Sequence, residues 1–180
     1  MEGAPPRQAT FGRNNSGSLA LVLALWQPDR PHNFGAALRL CACLGIELDL
    51  IEPAGFPLDD RRIRAGSLDY GPHARWRRHA DAAAFFRTRR GEGRRLVLLS
   101  TAGPVAYHEA AYRADDVLLA GSESAGVPDA IHAAVDLRVR VPMAAGRRSL
   151  NVIAAATLVL GEAMRQTGAL DELGRPTEGP

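Results

Sequence analysis

Three segments of the chain place glycine and polar side chains next to apolar runs of strand length. They read "NFGAALRL" (33–40), "LLAGSESAGVPDAI" (118–131) and "VPMAAGRRSLNVIAAA" (141–156). Any single glycine in such a segment could serve only a turn. Loops at the carboxyl ends of parallel strands, however, are where α/β sheets bind their ligands. Taken together, the three segments therefore predict a ligand cradle.

The residue types in these segments narrow the chemistry. No GxGxxG follows the first apolar run and the chain has no GxxxxGK[ST], which disfavours a nucleotide held through its phosphates. A neutral or cationic adenosine-like molecule, held by backbone groups and apolar walls, fits the loops better. Glu123 stands where a GxSxG elbow needs serine, which argues against a hydrolase. The five histidines lack an HExxH pattern and two cysteines are too few for a metal site, so we expect no metal.

The basic residues are unusual in kind. All 22 are arginine, although the net charge is only +2. Genomic base composition explains this most simply, and the alternative is phosphate recognition through the bidentate arginine fork. Cys41 and Cys43 lie two apart in a helical pattern and point away from each other, which favours a reducing compartment. The apolar run 18–26 is far shorter than the roughly 20 residues that span a bilayer. We therefore expect a cytoplasmic protein.

Apolar runs of strand length alternate with helical patterns, which is typical of an α/β fold with a mostly parallel sheet flanked by helices. We predict a single domain over 18–168, a disordered amino-terminal extension over 1–17 and a flexible tail over 169–180. Asn33 and Ser149 are candidate N-caps, and Gly45 and Gly168 are candidate helix ends. The predicted strands are 19–25, 46–51, 95–100, 116–120 and 137–141. The predicted helices are 34–44, a short one near 60–66, 80–90, a weak one near 107–112, 128–135 and 150–167.

In their order and spacing, the three segments resemble the signature motifs of the SPOUT superfamily of RNA 2'-O-methyltransferases. The likeness is greatest to the short, single-domain enzymes that act at the wobble nucleotide of tRNA (the TrmL type), and "IEPAGFPLDDRRIRAGSLDY" (51–70) adds to it. The resemblance covers roughly residues 19–168. It implies a SPOUT fold with a deep trefoil knot in the carboxy-terminal part. It also implies S-adenosylmethionine as the cofactor, tRNA as the substrate and a homodimer.

The resemblance also implies roles for individual residues. Arg39 matches an arginine with a catalytic role. Because guanidinium groups stay protonated in proteins, we expect it to hold a phosphate and stabilise negative charge on the ribose oxygen, not to accept a proton. The positions matching RNA-side residues are Asn33, Arg39, Arg148 and Asn151. The positions matching cofactor contacts or neighbours are Leu99, Gly121, Val141, Met143, Ser149 and Leu150.

The chain departs from the family pattern at four positions. Ala36 stands where asparagine is common, Ala102 where lysine is frequent and Ala125 where arginine is frequent. Ile153 replaces a small polar residue. These departures leave the substrate more open than the reaction. The alternatives are 2'-O-methylation at another tRNA or rRNA site, a catalytically silent knotted RNA-binding protein, and a small-molecule binding protein unrelated to RNA.

Overall fold

The structure is a computed structural model, and it describes residues 20–58 and 74–173. The predicted amino-terminal extension and the predicted short helix near 60–66 lie outside the described residues.

A parallel sheet organises the described residues. Its seven strands, in chain order, are β1 Val22–Trp26, β2 Glu47–Ile51, β3 Arg75–His79, β4 Leu96–Leu99, β5 Val105–Ala106, β6 Val117–Ala120 and β7 Leu137–Arg140. In the sheet they follow the order β3-β2-β1-β6-β4-β7-β5, and every neighbouring pair is parallel. The five predicted strands are all present, and the α/β class with helices flanking the sheet is confirmed.

Strands β3 and β5 were missing from the sequence prediction. β3 reads "RWRRH" and lacks the apolar pattern of its neighbours. It pairs with β2 because its side chains find partners: Arg77 donates to Glu92 at 3.1 Å, and Trp76 packs edge-on against Phe34. β5 has only two residues, which is too short to produce a pattern.

Five α-helices connect or follow these strands in the described part of the chain. The weak helix predicted near 107–112 is only a 3₁₀ turn, Tyr107–Glu109. A short helix, α5, lies in the stretch that the sequence assigned to the tail. The helix bounds are α1 Pro31–Leu44, α2 Ala82–Gly91, α3 Asp129–Ala134, α4 Val152–Thr167 and α5 Ala169–Glu172.

Apolar side chains cover both faces of the sheet, which explains why its central strands are apolar throughout. On one face, Leu23 and Leu25 of β1 pack with α1 and α4. On the other face, Val22 and Ala24 pack with Phe85 of α2 and with α3. Burying each leucine-sized side chain contributes about 1.5–3 kcal/mol. The strands that carry the loops are therefore fixed from both sides.

Two of the predicted helix starts are wrong. Helix α1 begins two residues before Asn33, because Pro31 at its first turn favours an earlier start, and Arg30 occupies the cap position without a side-chain bond. Helix α4 is capped by Asn151 and not by Ser149: the Asn151 side chain accepts from the backbone N–H of Ile153 at 2.9 Å. The predicted ends at Gly45 and Gly168 are confirmed by left-handed backbone conformations.

Candidate cofactor and RNA site

A cavity of about 450 Å³ opens at the carboxyl ends of β4, β6 and β7. This volume lies within the range of small-molecule sites. The three strands are neighbours in the sheet, with β4 pairing in parallel with both β6 and β7, so the loops that follow them leave from the same edge. The lining residues come from within 99–102, 121–127 and 139–152, together with His132 of α3 and Ala155 of α4.

The loop after β6 is closed by two glycines. A Cβ placed on Gly121 would lie 2.7 Å from the carbonyl carbon of Gly126, so only glycine allows the two backbones to approach. Gly126 itself has φ +66°, in the left-handed region that glycine favours. Ser122 and Gly126 exchange backbone hydrogen bonds of 3.0 and 2.9 Å. The loop is therefore a compact unit with a fixed shape.

The loop after β4 lies directly against β7 through Gly103. A Cβ on Gly103 would lie 2.5 Å from the carbonyl carbon of Val139 and 2.7 Å from its oxygen. The Arg140 guanidinium also donates to the carbonyl oxygen of Gly103 at 3.0 Å. This close approach holds the loop after β4 against the end of β7.

A chain of hydrogen bonds connects all three segments beside the cavity. Asn33, which is only 4% exposed, donates from Nδ2 to the carboxylate of Glu123. Its Oδ1 accepts from Nδ2 of Asn151 at 2.9 Å. Asn151 in turn caps α4. The first segment thus reaches the second through Glu123 and the third through Asn151.

The structure brings most of the predicted site residues together. All six predicted cofactor positions line this same cavity, and Arg148 lines it too. The six positions are Leu99, Gly121, Val141, Met143, Ser149 and Leu150. Asn33 and Asn151 are bonded to each other at its edge. Arg39 lies elsewhere, on the exposed face of α1 with His32 and Ala36, and is not among the described residues that line the cavity.

Sequence reasoning missed two of the ionisable residues that line the cavity, Glu123 and His132. Glu123 served only as an argument against a hydrolase, yet its carboxylate holds Asn33. Nothing in the sequence indicated His132 as a site residue, because it lines the cavity from helix α3 and not from one of the loops. Ala102 and Ala125, two of the positions that depart from the family pattern, both line the cavity. Small side chains therefore occupy the places where lysine and arginine are frequent in the family. Among the described lining residues, the basic side chains are Arg148 and His132.

Charged groups are also buried away from the cavity, beneath β2 and β3. The Arg89 guanidinium donates to both oxygens of Asp49, at 2.6 and 2.7 Å, and to Glu47 at 2.7 Å. Burial by itself would raise the pKa of Asp49, but His79 and Arg89 outweigh it and hold that pKa below its usual value. The cluster anchors α2 to the sheet edge farthest from the candidate site.

Burial raises the pKa of the Cys41 thiol, with the nearby Asp49 carboxylate adding to the effect. This thiol is therefore a poor nucleophile. Within 20–58 and 74–173, no helix has the length and apolar character needed to cross a membrane.

Comparisons with known proteins agree on one family. The sequence profile of the SpoU rRNA methylase family matches residues 20–161. A tRNA (cytidine(34)-2'-O)-methyltransferase from Beijerinckia indica is 54% identical over 149 residues, which are 83% of this chain and 93% of that protein. A solved structure concerned with the 2-OH methylation of C/U34 on tRNA has a TM-score of 0.78 at 38% identity, over 82% of this chain and 95% of the other.

A second solved structure extends the comparison to a cofactor complex. The SpoU methyltransferase AviRb from Streptomyces viridochromogenes, in complex with AdoMet, has a TM-score of 0.72 at 28% identity, over 82% of this chain and 57% of the other. The resemblance that the three segments predicted is confirmed: this chain belongs to the SpoU rRNA methylase family.

Proposed function

We propose that this protein transfers a methyl group from S-adenosylmethionine to the ribose 2'-hydroxyl of nucleotide 34, the wobble nucleotide, in tRNA. The observation that carries the proposal is that segments distant in sequence bring all six predicted cofactor positions to the lining of the same cavity. The relatives named for methylation at position 34 support the substrate.

The lining of the cavity suits this cofactor. Leu99, Val141 and Met143 offer apolar walls for an adenosine group, and the loops after β4 and β6 offer backbone groups for its polar edges. Glu123 adds a carboxylate, which favours a cationic ligand over a phosphate. When bound, S-adenosylmethionine supplies a methyl group on positively charged sulfur, so the leaving group is a neutral thioether and no metal is needed.

The protein's own contribution is positioning and charge. Asn33 and Asn151 would orient the ribose beside the cavity, since both side chains are already fixed by hydrogen bonds. Arg148 would bind the RNA backbone at the cavity lining. Arg39 lies outside the cavity lining, so it would reach a neighbouring phosphate of the bound RNA, and the negative charge that develops on the attacking oxygen, from the exposed face of α1. In-line orientation of the oxygen and the methyl group then provides much of the rate enhancement.

We further propose a homodimer formed through α4. This helix buries Val159 and Leu160 in the core but leaves Leu158 43% exposed. Gly161 lies nearby, and a Cβ there would meet no atom within 4 Å. An apolar side chain beside a small residue on one helix face allows close approach of a second copy.

The trefoil knot belongs to the same proposal. β7 lies in the sheet between β4 and β5, although it follows both in the chain. Gln166, near the end of α4, accepts from the backbone N–H of Tyr112 at 3.0 Å and donates to the carbonyl of Ala110 at 2.9 Å. The segment before β6 thus packs against a helix that comes later in the chain, and together with the place of β7 in the sheet this contact supports the proposal. Action on tRNA would place the protein in the cytoplasm.

The test is nucleoside mass spectrometry of tRNA incubated with the protein and methyl-labelled S-adenosylmethionine. We expect label on the 2'-oxygen of nucleotide 34. Arg39→Ala is expected to abolish transfer while the cofactor Kd stays within twofold of wild type. The matched control is Arg87→Ala, which removes an exposed arginine from α2 and should leave transfer unchanged. Undiminished transfer by Arg39→Ala would remove that residue from the mechanism.

One observation favours a second candidate, methylation at another tRNA or rRNA nucleotide. Ala102 and Ala125 line the cavity where the family often carries cations, so RNA contacts at its mouth differ from the family pattern. Mapping the labelled nucleotide separates the two candidates, because label on ribose outside position 34 would favour the second.

A further inference from the structure

Asp29 holds the backbone of the loop after β6, although it lies in the connection between β1 and α1. Its Oδ1 accepts from the backbone N–H of Glu123 at 3.2 Å, and its Oδ2 accepts from the backbone N–H of Ser124 at 3.1 Å. One carboxylate thus satisfies two consecutive donors at the tip of a loop that lines the cavity.

The position of Asp29 is set from its other side. The backbone N–H of Gly55 donates to the carbonyl oxygen of Pro28 at 2.9 Å. A Cβ on Gly55 would lie 3.0 Å from the Cα of Asp29, so the connection after β2 is pressed directly against it. Asp29 is therefore fixed by contacts that do not involve the loop it holds.

The internal bonds of the loop determine its shape, whereas Asp29 and Asn33 determine where it sits. The Ser122–Gly126 pair closes the turn within itself. Asp29 ties the turn to the β1–α1 connection through its backbone, and Asn33 ties it through the Glu123 side chain. Displacing the tip would move Gly121 and Glu123 away from the other cavity walls.

The carboxylate form of Asp29 suits this task. Burial alone would raise its pKa, but hydrogen bonds from Ser124 and Glu123 outweigh burial and lower the pKa below its ordinary value. The group is therefore ionised at neutral pH, where charge strengthens both hydrogen bonds.

We infer that Asp29 is a positioning residue for methyl transfer. It holds the loop after β6 at the correct distance from the loops after β4 and β7, so that the cavity is formed before the cofactor binds. This inference rests on the proposed cofactor site. It adds a residue outside the three motif segments to the machinery of the reaction.

The test is Asp29→Asn, which keeps the size of the side chain but turns one acceptor into a donor facing a backbone N–H. We expect the Kd for S-adenosylmethionine, measured by calorimetry, to rise about tenfold, equivalent to roughly 1.4 kcal/mol. The cofactor KM should rise in parallel, while kcat at saturating cofactor falls less than threefold. Asp29→Glu keeps both acceptor oxygens and should bind more tightly than Asp29→Asn.

The matched control is Asp81→Asn. The Asp81 carboxylate accepts from the backbone N–H of Ala84 at 2.7 Å at the start of α2, and neither residue lines the cavity. This variant should lose thermal stability but keep its cofactor Kd within twofold. An Asp29→Asn protein that is less stable yet binds the cofactor like wild type would overturn the inference. Wild-type protein that fails to bind would instead refute the proposed site, and the inference with it.

Discussion

Gly121→Ala tests the loop after β6 most sharply, because the structure fixes the size of the clash. The new Cβ would lie 2.7 Å from the carbonyl carbon of Gly126 and 2.8 Å from its Cα. Carbon atoms pack at about 3.5–4.0 Å, so one strand of the turn must retreat by roughly 1 Å. All the clashing atoms are backbone, and no change of rotamer can relieve the contact.

The retreat would break the two backbone hydrogen bonds between Ser122 and Gly126. Each is worth about 0.5–1.5 kcal/mol net, so the loss is about 1–3 kcal/mol. For a chain of this size we expect the unfolding temperature to fall by roughly 2–12 °C. Because the displaced loop lines the cavity, the cofactor Kd should rise about tenfold or more.

Calorimetry gives the Kd, and thermal unfolding gives the stability. Gly91→Ala is the control, since it ends α2 and a Cβ there meets no atom within 4 Å. It should match wild type in cofactor affinity. If Gly121→Ala bound the cofactor with wild-type affinity, the argument that this close approach shapes the cavity would be refuted.

Three further predictions follow from other contacts. Asn33→Ala removes the link between Glu123 and Asn151, and should lower transfer at least tenfold in the labelled-tRNA assay; unchanged transfer would show that the link is dispensable. The folded-state pKa of Asp49 is depressed, so its contribution to stability is present above its unfolded pKa of about 3.9 and is lost as pH falls through the folded value. The unfolding temperature should therefore decrease at pH values below about 4. Asp49→Asn should lower the free energy of unfolding by about 1.5–3 kcal/mol at neutral pH, because Arg89 loses its carboxylate partner Asp49 and keeps Glu47; a variant as stable as wild type would contradict this. Leu158→Glu should give monomers in analytical ultracentrifugation, whereas a dimer in that variant would move the interface away from α4.

The sequence was sufficient to predict the parts of the fold that depend on apolar patterning. The central strands are buried on both faces, so their continuous apolar runs are visible without structural information. β3 could not be found this way, because two of its arginines, Arg77 and Arg78, are stabilised by acidic partners outside the strand. Pairing of that kind depends on tertiary contacts and leaves no periodicity along the strand.

The candidate site was likewise predictable from the sequence only in part. The glycines of the loops marked the cavity in the sequence, because tight turns and close backbone approaches restrict residue type. The cap of α4 was assigned to Ser149, two residues too early, since both serine and asparagine can cap a helix. Only the structure shows that Asn151 caps the helix and bonds Asn33 at the same time. The role of Asp29 likewise depends on residues more than 90 positions away.

The most direct measurement is a crystal structure of this protein with S-adenosylhomocysteine, the product that remains after methyl transfer. We predict density for the product within the cavity, in contact with Leu99, Gly121 and Val141, with the Asn33–Asn151 pair at its edge. Density at a different place on the protein, with this cavity unchanged and filled by solvent, would contradict it.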